Sequence, residues 1–287
     1  MIYILISICC SVTVAVLLKL SRRYQISIAQ TVTWNYLFAI ALASMVFKPS
    51  MADVLQSPSK LHVALGVLLP VIFWFLAKSI KHLGIVRTDI AQRLSLFIPV
   101  VAAYVLFHEQ ISLLKFLGLA TAMIAITLIL KKTEKASSQR SNWIYAVVVF
   151  LGFGVIDILF KQLAQNKSVP YTTSLITVFC LAFMISMAYI FFMAIRRKQK
   201  LSLINFICGC VLGLFNFGNI YFYLKAHQTL PDNPSTVFAT MNMGVIILGS
   251  LAGIFLFRER LSRVNYIGLA LALVAIIFIT ISQTYAI

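Results

Sequence analysis

Long apolar runs separated by short polar connectors dominate this chain, and that alternation leaves few architectures open. Stretches of roughly 18 to 23 mainly apolar residues fall at about 2–20, 28–47, 61–80, 86–107, 112–130, 143–163, 171–195, 203–225, 234–257 and 263–283. Each has the length of a membrane-crossing helix. Together they consume most of the 287 residues and leave no room for a soluble domain. Only 11% of residues are charged, about half the usual share of a soluble domain, so an ordinary cytosolic enzyme is excluded. The first run lacks a basic leader and a small-residue cleavage site, and reads as an uncleaved helix rather than a signal peptide.

The two halves of the chain repeat one another. LFHEQISLLKFLGLATAMIAI (106–126) aligns with LFRERLSRVNYIGLALALVAI (256–276) at ten identities in 21 positions, Glu109 with Glu259, Ser112 with Ser262 and Gly118 with Gly268 among them. Apolar sequence of this kind would give roughly two or three by chance, so the repeat is a strong signal. A weaker echo pairs VAVLLKLSRR with IDILFKQLAQ, and Lys19 with Lys161. The expectation is an all-α membrane protein of ten transmembrane helices in two five-helix repeats, 1–130 and 143–287, joined by a basic connector at 131–142. Five spans per copy force the copies into opposite orientations, as in many secondary transporters.

Charge agrees with that inversion. The formal net charge is +17, a value that in a soluble protein would suggest nucleic acid, yet no basic run exceeds the four cations Arg196, Arg197, Lys198 and Lys200. Assigned to the nearest face, 18 of the 24 cations fall beside the odd-numbered loops and 6 beside the face that holds both termini. The positive-inside rule then places the odd loops, 131–142 included, in the cytoplasm and both termini outside. Cys9, Cys10, Cys180, Cys208 and Cys210 sit in apolar runs with no ligand cluster near them, and read as small buried residues rather than disulfides or metal ligands.

A short turn, a helix with a mid-span Pro or Gly, the turn LF-x-E-x-x-S and a small-residue helix occur twice in that order. The copies read IVRTDIAQRLSLFIPVVAAYVLFHEQIS with FLGLATAMIAI, and TVFATMNMGVIILGSLAGIFLFRERLS with YIGLALALVAI. This arrangement resembles the EamA-type branch of the drug/metabolite transporter superfamily over essentially the whole chain. The resemblance implies ten helices, a central cavity between the halves and alternating access, for solutes ranging from amino acids and drugs to nucleotide sugars and sugar phosphates. Members of that family are similar in having cytoplasmic termini, and the charge pattern here departs from that.

Nothing resembles an enzyme: the sequence has no paired carboxylates, no phosphate loop and no nucleophile beside a base, and no cofactor or metal is implied. His62, His82, His108 and His227 lie near helix ends and read as interfacial. Polar residues inside the apolar runs are the informative class, because burying them costs several kcal/mol unless they are paired or face a wet cavity. In span 4, Asp89, Gln92 and Arg93 form the strongest cluster; Asp89 and Arg93 share a helix face and can pair, and Arg93 is a candidate for holding an anionic group. Asn242 is the repeat equivalent of Gln92. Further candidates are Trp34 and Asn35 in span 2, Lys78 in span 3, and Asn216, Asn219 and Tyr223 in span 8, with Tyr36 and Tyr221 read as interfacial belt residues.

Asp157 is a candidate proton carrier, and its spacing from Lys161 predicts an i,i+4 pair. Glu109 and Glu259 are expected to satisfy helix N-termini, Pro70 and Pro99 to kink their helices, and Gly118/Ala122, Gly268/Ala272 and Gly249/Gly253 to allow close packing. The sequence thus reads as a secondary transporter of small organic solutes or metabolites, in contact with membrane lipids and not nucleic acid, in the bacterial inner membrane; monomer and homodimer both fit. The alternatives are a lipid or lipid-carrier flippase and a non-transporting scaffold or receptor.

Overall fold

The computed structural model describes residues 1–23, 26–49, 59–110, 112–130, 143–166, 170–197, 202–258 and 262–284. Among these there is no strand, and ten helices follow one another: α1 (Ile2–Arg23), α2 (Ile28–Phe47), α3 (Lys60–Leu94), α4 (Phe97–Val105), α5 (Leu113–Leu130), α6 (Ile144–Gln165), α7 (Tyr171–Arg197), α8 (Leu203–Thr229), α9 (Pro234–Phe257) and α10 (Arg263–Thr284). The connector 131–142, Glu259, Lys167, Lys198 and Lys200 lie outside the described residues. Seven helical stretches are long and apolar enough to cross a bilayer: α2, Lys60–Ile80, α6, α7, α8, α9 and Arg263–Ser282. Ile2–Leu18, Ala91–Val105 and Leu113–Ile129 are apolar but shorter. Of the ten expected spans, seven thus have full spanning length among the described residues and three are shorter.

The departure is sharpest at spans 3 and 4. Helical backbone continues from Lys60 to Leu94 without the expected break, but it is not one rod. Ser79 Oγ and Thr88 Oγ1 lie 2.7 Å apart, whereas nine residues of straight helix would separate them by about 13.5 Å, so the chain reverses between them. The second arm ends at Ser95, whose hydroxyl donates to Gln92 O at 2.6 Å. Pro99 has no N–H for the carbonyl four residues back, Ser95 O, which instead accepts from Ile98 N–H at 3.0 Å. The nine-residue α4 restarts beyond the break. Pro70, in contrast, lies within unbroken helix.

The most extensive packing joins α5 to α10, α2 to α8, α3 to α6, α1 to α8, α2 to α7, α3 to α7 and α1 to α9. Every one of these pairs takes one helix from each half. Shifted by five helices, α2–α8 becomes α7–α3 and α3–α6 becomes α8–α1, so the packing follows the sequence repeat. Small residues set the closest approaches: a Cβ on Gly118 would lie 2.7 Å from Ile279 Cγ1, and one on Gly268 would lie 2.8 Å from the backbone nitrogen of Ile129. Gly249 has open space instead, which corrects its reading as a packing glycine. Even the turns repeat, since His108 (φ 51°) and Arg258 (φ 52°) occupy equivalent positions in the left-handed region. The outer surface exposes Phe191, Phe192, Phe255 and Leu113, as suits contact with lipid rather than water.

Gly268→Val is expected to lower stability by about 1–3 kcal/mol through overpacking, whereas Gly249→Ala should leave it unchanged or raise it by up to about 1 kcal/mol. Thermal unfolding of the purified protein in detergent checks both.

Candidate functional site

Between the halves lies a cavity of about 280 Å³ whose walls show how the repeat builds it. Residues spaced i, i+3, i+4, i+7 lie on one helix face, and four helices line the cavity in this pattern. Helix α1 supplies Ser11, Val14, Ala15 and Leu18, and α6 supplies Phe153, Ile156, Asp157 and Phe160. Helix α3 supplies Leu69, Ile72, Phe73 and Leu76, and α8 supplies Asn216, Asn219, Ile220 and Tyr223. The frame is repeated but its chemistry is not. Leu69, Ile72, Phe73 and Leu76 are all apolar, while the matching positions of α8 carry two amides and a phenol; Ala15 on α1 is matched by Asp157 on α6.

Tyr223 Oη donates to Asp157 Oδ1 at 3.0 Å. Ser7 Oγ donates to Asn219 Oδ1 at 2.8 Å, which engages the carbonyl end of that side chain and leaves its NH₂ group for the cavity. Asn242 Nδ2 donates to Phe238 O at 3.1 Å, so its carbonyl oxygen is the free end. Gln92 and Asn242, equivalent in the repeat, both line the cavity, as do Arg93 and Ser95. Thus Gln92, Arg93, Asn216, Asn219, Tyr223, Asn242 and Asp157 converge as a set. The Asp89 side chain lies outside what is described.

Three candidates stand elsewhere. Asn35 is buried but turns towards α8, where Gly213 lets the helices approach: a Cβ there would lie 2.8 Å from Asn35 O. Trp34 packs edge-on against Phe206, with ring centroids 5.2 Å apart. Lys78 Nζ lies 3.6 Å from the centroid of the Trp74 ring rather than over the cavity. Nor does Lys161 pair with Asp157; its Nζ donates to Pro231 O at 2.7 Å, because the turn after α8 offers a bare carbonyl within reach.

Sequence reasoning missed Tyr36, which lines the cavity and is wholly buried rather than interfacial. Little in the sequence signals this, because Tyr36 sits about 100° round from Asn35 and adjacent residues such as Ile72 and Phe73 can share an inward face. His227 is likewise fully buried, not interfacial.

The EamA-like transporter family model matches residues 1–131 and again 141–281. The chain belongs to the EamA-like transporter family. A protein of uncharacterized function from Haemophilus influenzae (strain Rd) is 40% identical over 282 residues, 95% of each chain. A crystal structure at 14% identity superposes with a TM-score of 0.72 over 98% of this chain and 96% of that one, which shows the fold alone. Family membership makes this an integral membrane transporter rather than an enzyme.

In this EamA-like chain a plug of side chains from both halves packs against Tyr223 on the cavity wall. His227 lies against Tyr223 and Phe238, each at 4.8 Å between ring centroids. Next to it the Glu109 carboxylate caps α9: Oε2 accepts from Ser235 N–H at 2.9 Å and Oε1 from Ser235 Oγ at 2.7 Å. Lys115 forms a buried ion pair with Glu109 and donates to Asn233 Oδ1 at 2.7 Å. Glu109 therefore satisfies a helix N-terminus as expected, but that of the other half. Glu109→Ala strands the buried Lys115 ammonium and should lower stability by about 3–5 kcal/mol. Adding Lys115→Met should recover part of the loss in thermal unfolding.

Proposed function

We propose that this protein is a secondary transporter of small amphipathic organic solutes, with its substrate site in the central cavity and alternating access between two inverted halves. The carrying observation is the two-sided wall. Asn216, Asn219 and Tyr223 on α8, with Asp157 on α6, oppose an apolar face of Leu69, Ile72, Phe73 and Leu76 on α3. A solute with a polar head and an apolar body is matched by both sides at once, and Arg93 supplies positive charge for an anionic head group. Buried amides and carboxylates left without a ligand are costly, which is why a wet, solute-accessible chamber suits them.

The plug at Glu109, His227 and Phe238 is the closed gate of this conformation, and the passage lies towards the odd-numbered loops. By the positive-inside rule those loops are cytoplasmic, in the inner membrane of a bacterium, so the closed gate faces outward. Asp157 is the coupling carboxylate: it lies in the cavity wall without a carboxylate counterpart on α1, held by Tyr223. A flippase reading calls for a polar cleft open to lipid. The lateral cleft between α2, α3 and α7 is instead lined mainly by apolar side chains.

A thermal-shift screen of amino acids, sugar phosphates, nucleotides and drugs on purified protein should yield ligands that stabilise it by about 2.7 kcal/mol at a hundredfold excess over Kd. Arg93→Ala and Asp157→Asn should fold yet lose that shift, along with uptake of the same solute in proteoliposomes; wild-type flux in both variants removes them from the site. A cysteine added at the C-terminus should label from outside intact cells, and labelling only from the cytoplasm reverses the orientation.

A further inference from the structure

Helices α2 and α3 touch each other little, although both pack on α7. The space left between them is a second cavity of about 210 Å³, walled by Ile28, Val32, Pro70, Trp74, Ala77 and Ser186 among others. It extends about 10 Å along α3 from Pro70 to Ala77, among spans whose neighbouring side chains Leu37, Val67 and Met184 are exposed. An opening of this kind meets hydrocarbon rather than water.

Its polar features gather towards one end. Trp74 Nε1 donates to Tyr189 Oη at 3.0 Å, tying α3 to α7 with the amphipathic rings that favour the headgroup level. Lys78, one turn further along α3, holds its ammonium 3.6 Å from the Trp74 ring centroid and 5.7 Å from that of Tyr145. Inside the cleft Ser186 is only 6% exposed, and its hydroxyl has no hydrogen-bond partner. A hydroxyl placed in the cleft in this way has a hydrogen bond to offer a ligand oxygen.

We infer that this cleft is a binding site for one anionic phospholipid, with an acyl chain between α2 and α3, an ester oxygen near Ser186 and the phosphate at Lys78. Charge selects the occupant: a half-buried ammonium at headgroup level favours an anionic over a zwitterionic lipid. The site also adjoins the transport chamber, because Phe73 lines both cavities. A chain in the cleft packs against the side chain that separates it from the solute.

Trp74 is one of three tryptophans, so Trp34→Phe with Trp143→Phe leaves it as the sole reporter. This protein, reconstituted in phosphatidylcholine vesicles, is titrated with phosphatidylglycerol or phosphatidylcholine brominated on the acyl chain. Quenching of Trp74 should reach its midpoint at about fivefold lower mole fraction of the brominated phosphatidylglycerol, the preference one basic side chain confers near the surface. Lys78→Gln should abolish that difference, and Ala77→Phe, which fills the cleft, should abolish the saturable component for both lipids. Equal quenching by the two lipids, or a preference that survives Lys78→Gln, overturns the proposal. Should Ala77→Phe fail to fold, the Lys78→Gln comparison still decides.

Discussion

In hydrocarbon no water is at hand to satisfy a polar group, so each one must find its partner within the protein. Here that partner is repeatedly in the opposite half. Glu109 of the first half caps α9 of the second through Ser235. Gln30 on α2 accepts from Asn205 Nδ2 on α8 at 2.7 Å, Ser7 on α1 donates to Asn219 on α8, and Asn265 at the start of α10 donates to the Ile129 carbonyl of α5. These contacts, with glycine-mediated approaches such as Gly118 on Ile279, hold the halves interleaved rather than side by side. The cavity is what remains where that interleaving stops.

A duplicated frame with divergent side chains gives the chamber its character. The inward positions of α1 and α6, and of α3 and α8, match in spacing turn for turn. What differs is the chemistry at matched positions: Leu69 against Asn216, Ile72 against Asn219, Leu76 against Tyr223, Ala15 against Asp157. In the proposed mechanism, symmetric geometry serves the exchange of conformations between halves, and unlike walls orient the solute. The Glu109 and Lys115 pair carries the same asymmetry, because the residue equivalent to Lys115 in the second copy is Asn265, which reaches a backbone carbonyl in place of a carboxylate.

The repeat and the all-helical membrane character are legible in the sequence, because apolar run length reports directly on the bilayer, and polar residues within the runs point to several that line the cavity, Gln92 and Tyr223 among them. The Ser95 break is not legible there, since Pro99 acts on backbone geometry one turn away and Pro70, in equally apolar sequence, produces no such break. Lys161 and Asp157 matched the spacing of a pair, but the carbonyl of Pro231 in the turn after α8 claimed the ammonium. Tyr36 lines the cavity while Asn35 beside it packs on α8, a rotation of α2 set by the glycines of α8. Local pattern carries such information only as far as the nearest tertiary partner.

The interleaving has a consequence for how the chain is made. Glu109 and its cap partner Ser235 are 126 residues apart, so at usual synthesis rates the carboxylate emerges about 6 to 25 s before the helix end it satisfies. Through that interval the first five helices hold Glu109 and Lys115 without Ser235 and Asn233, Gln30 without Asn205, and Ser7 without Asn219. The first half is thus an intermediate that the growing chain must shelter until α8 and α9 arrive, and the buried ion pair and the Ser79–Thr88 contact are parts of its polar core that can form on time.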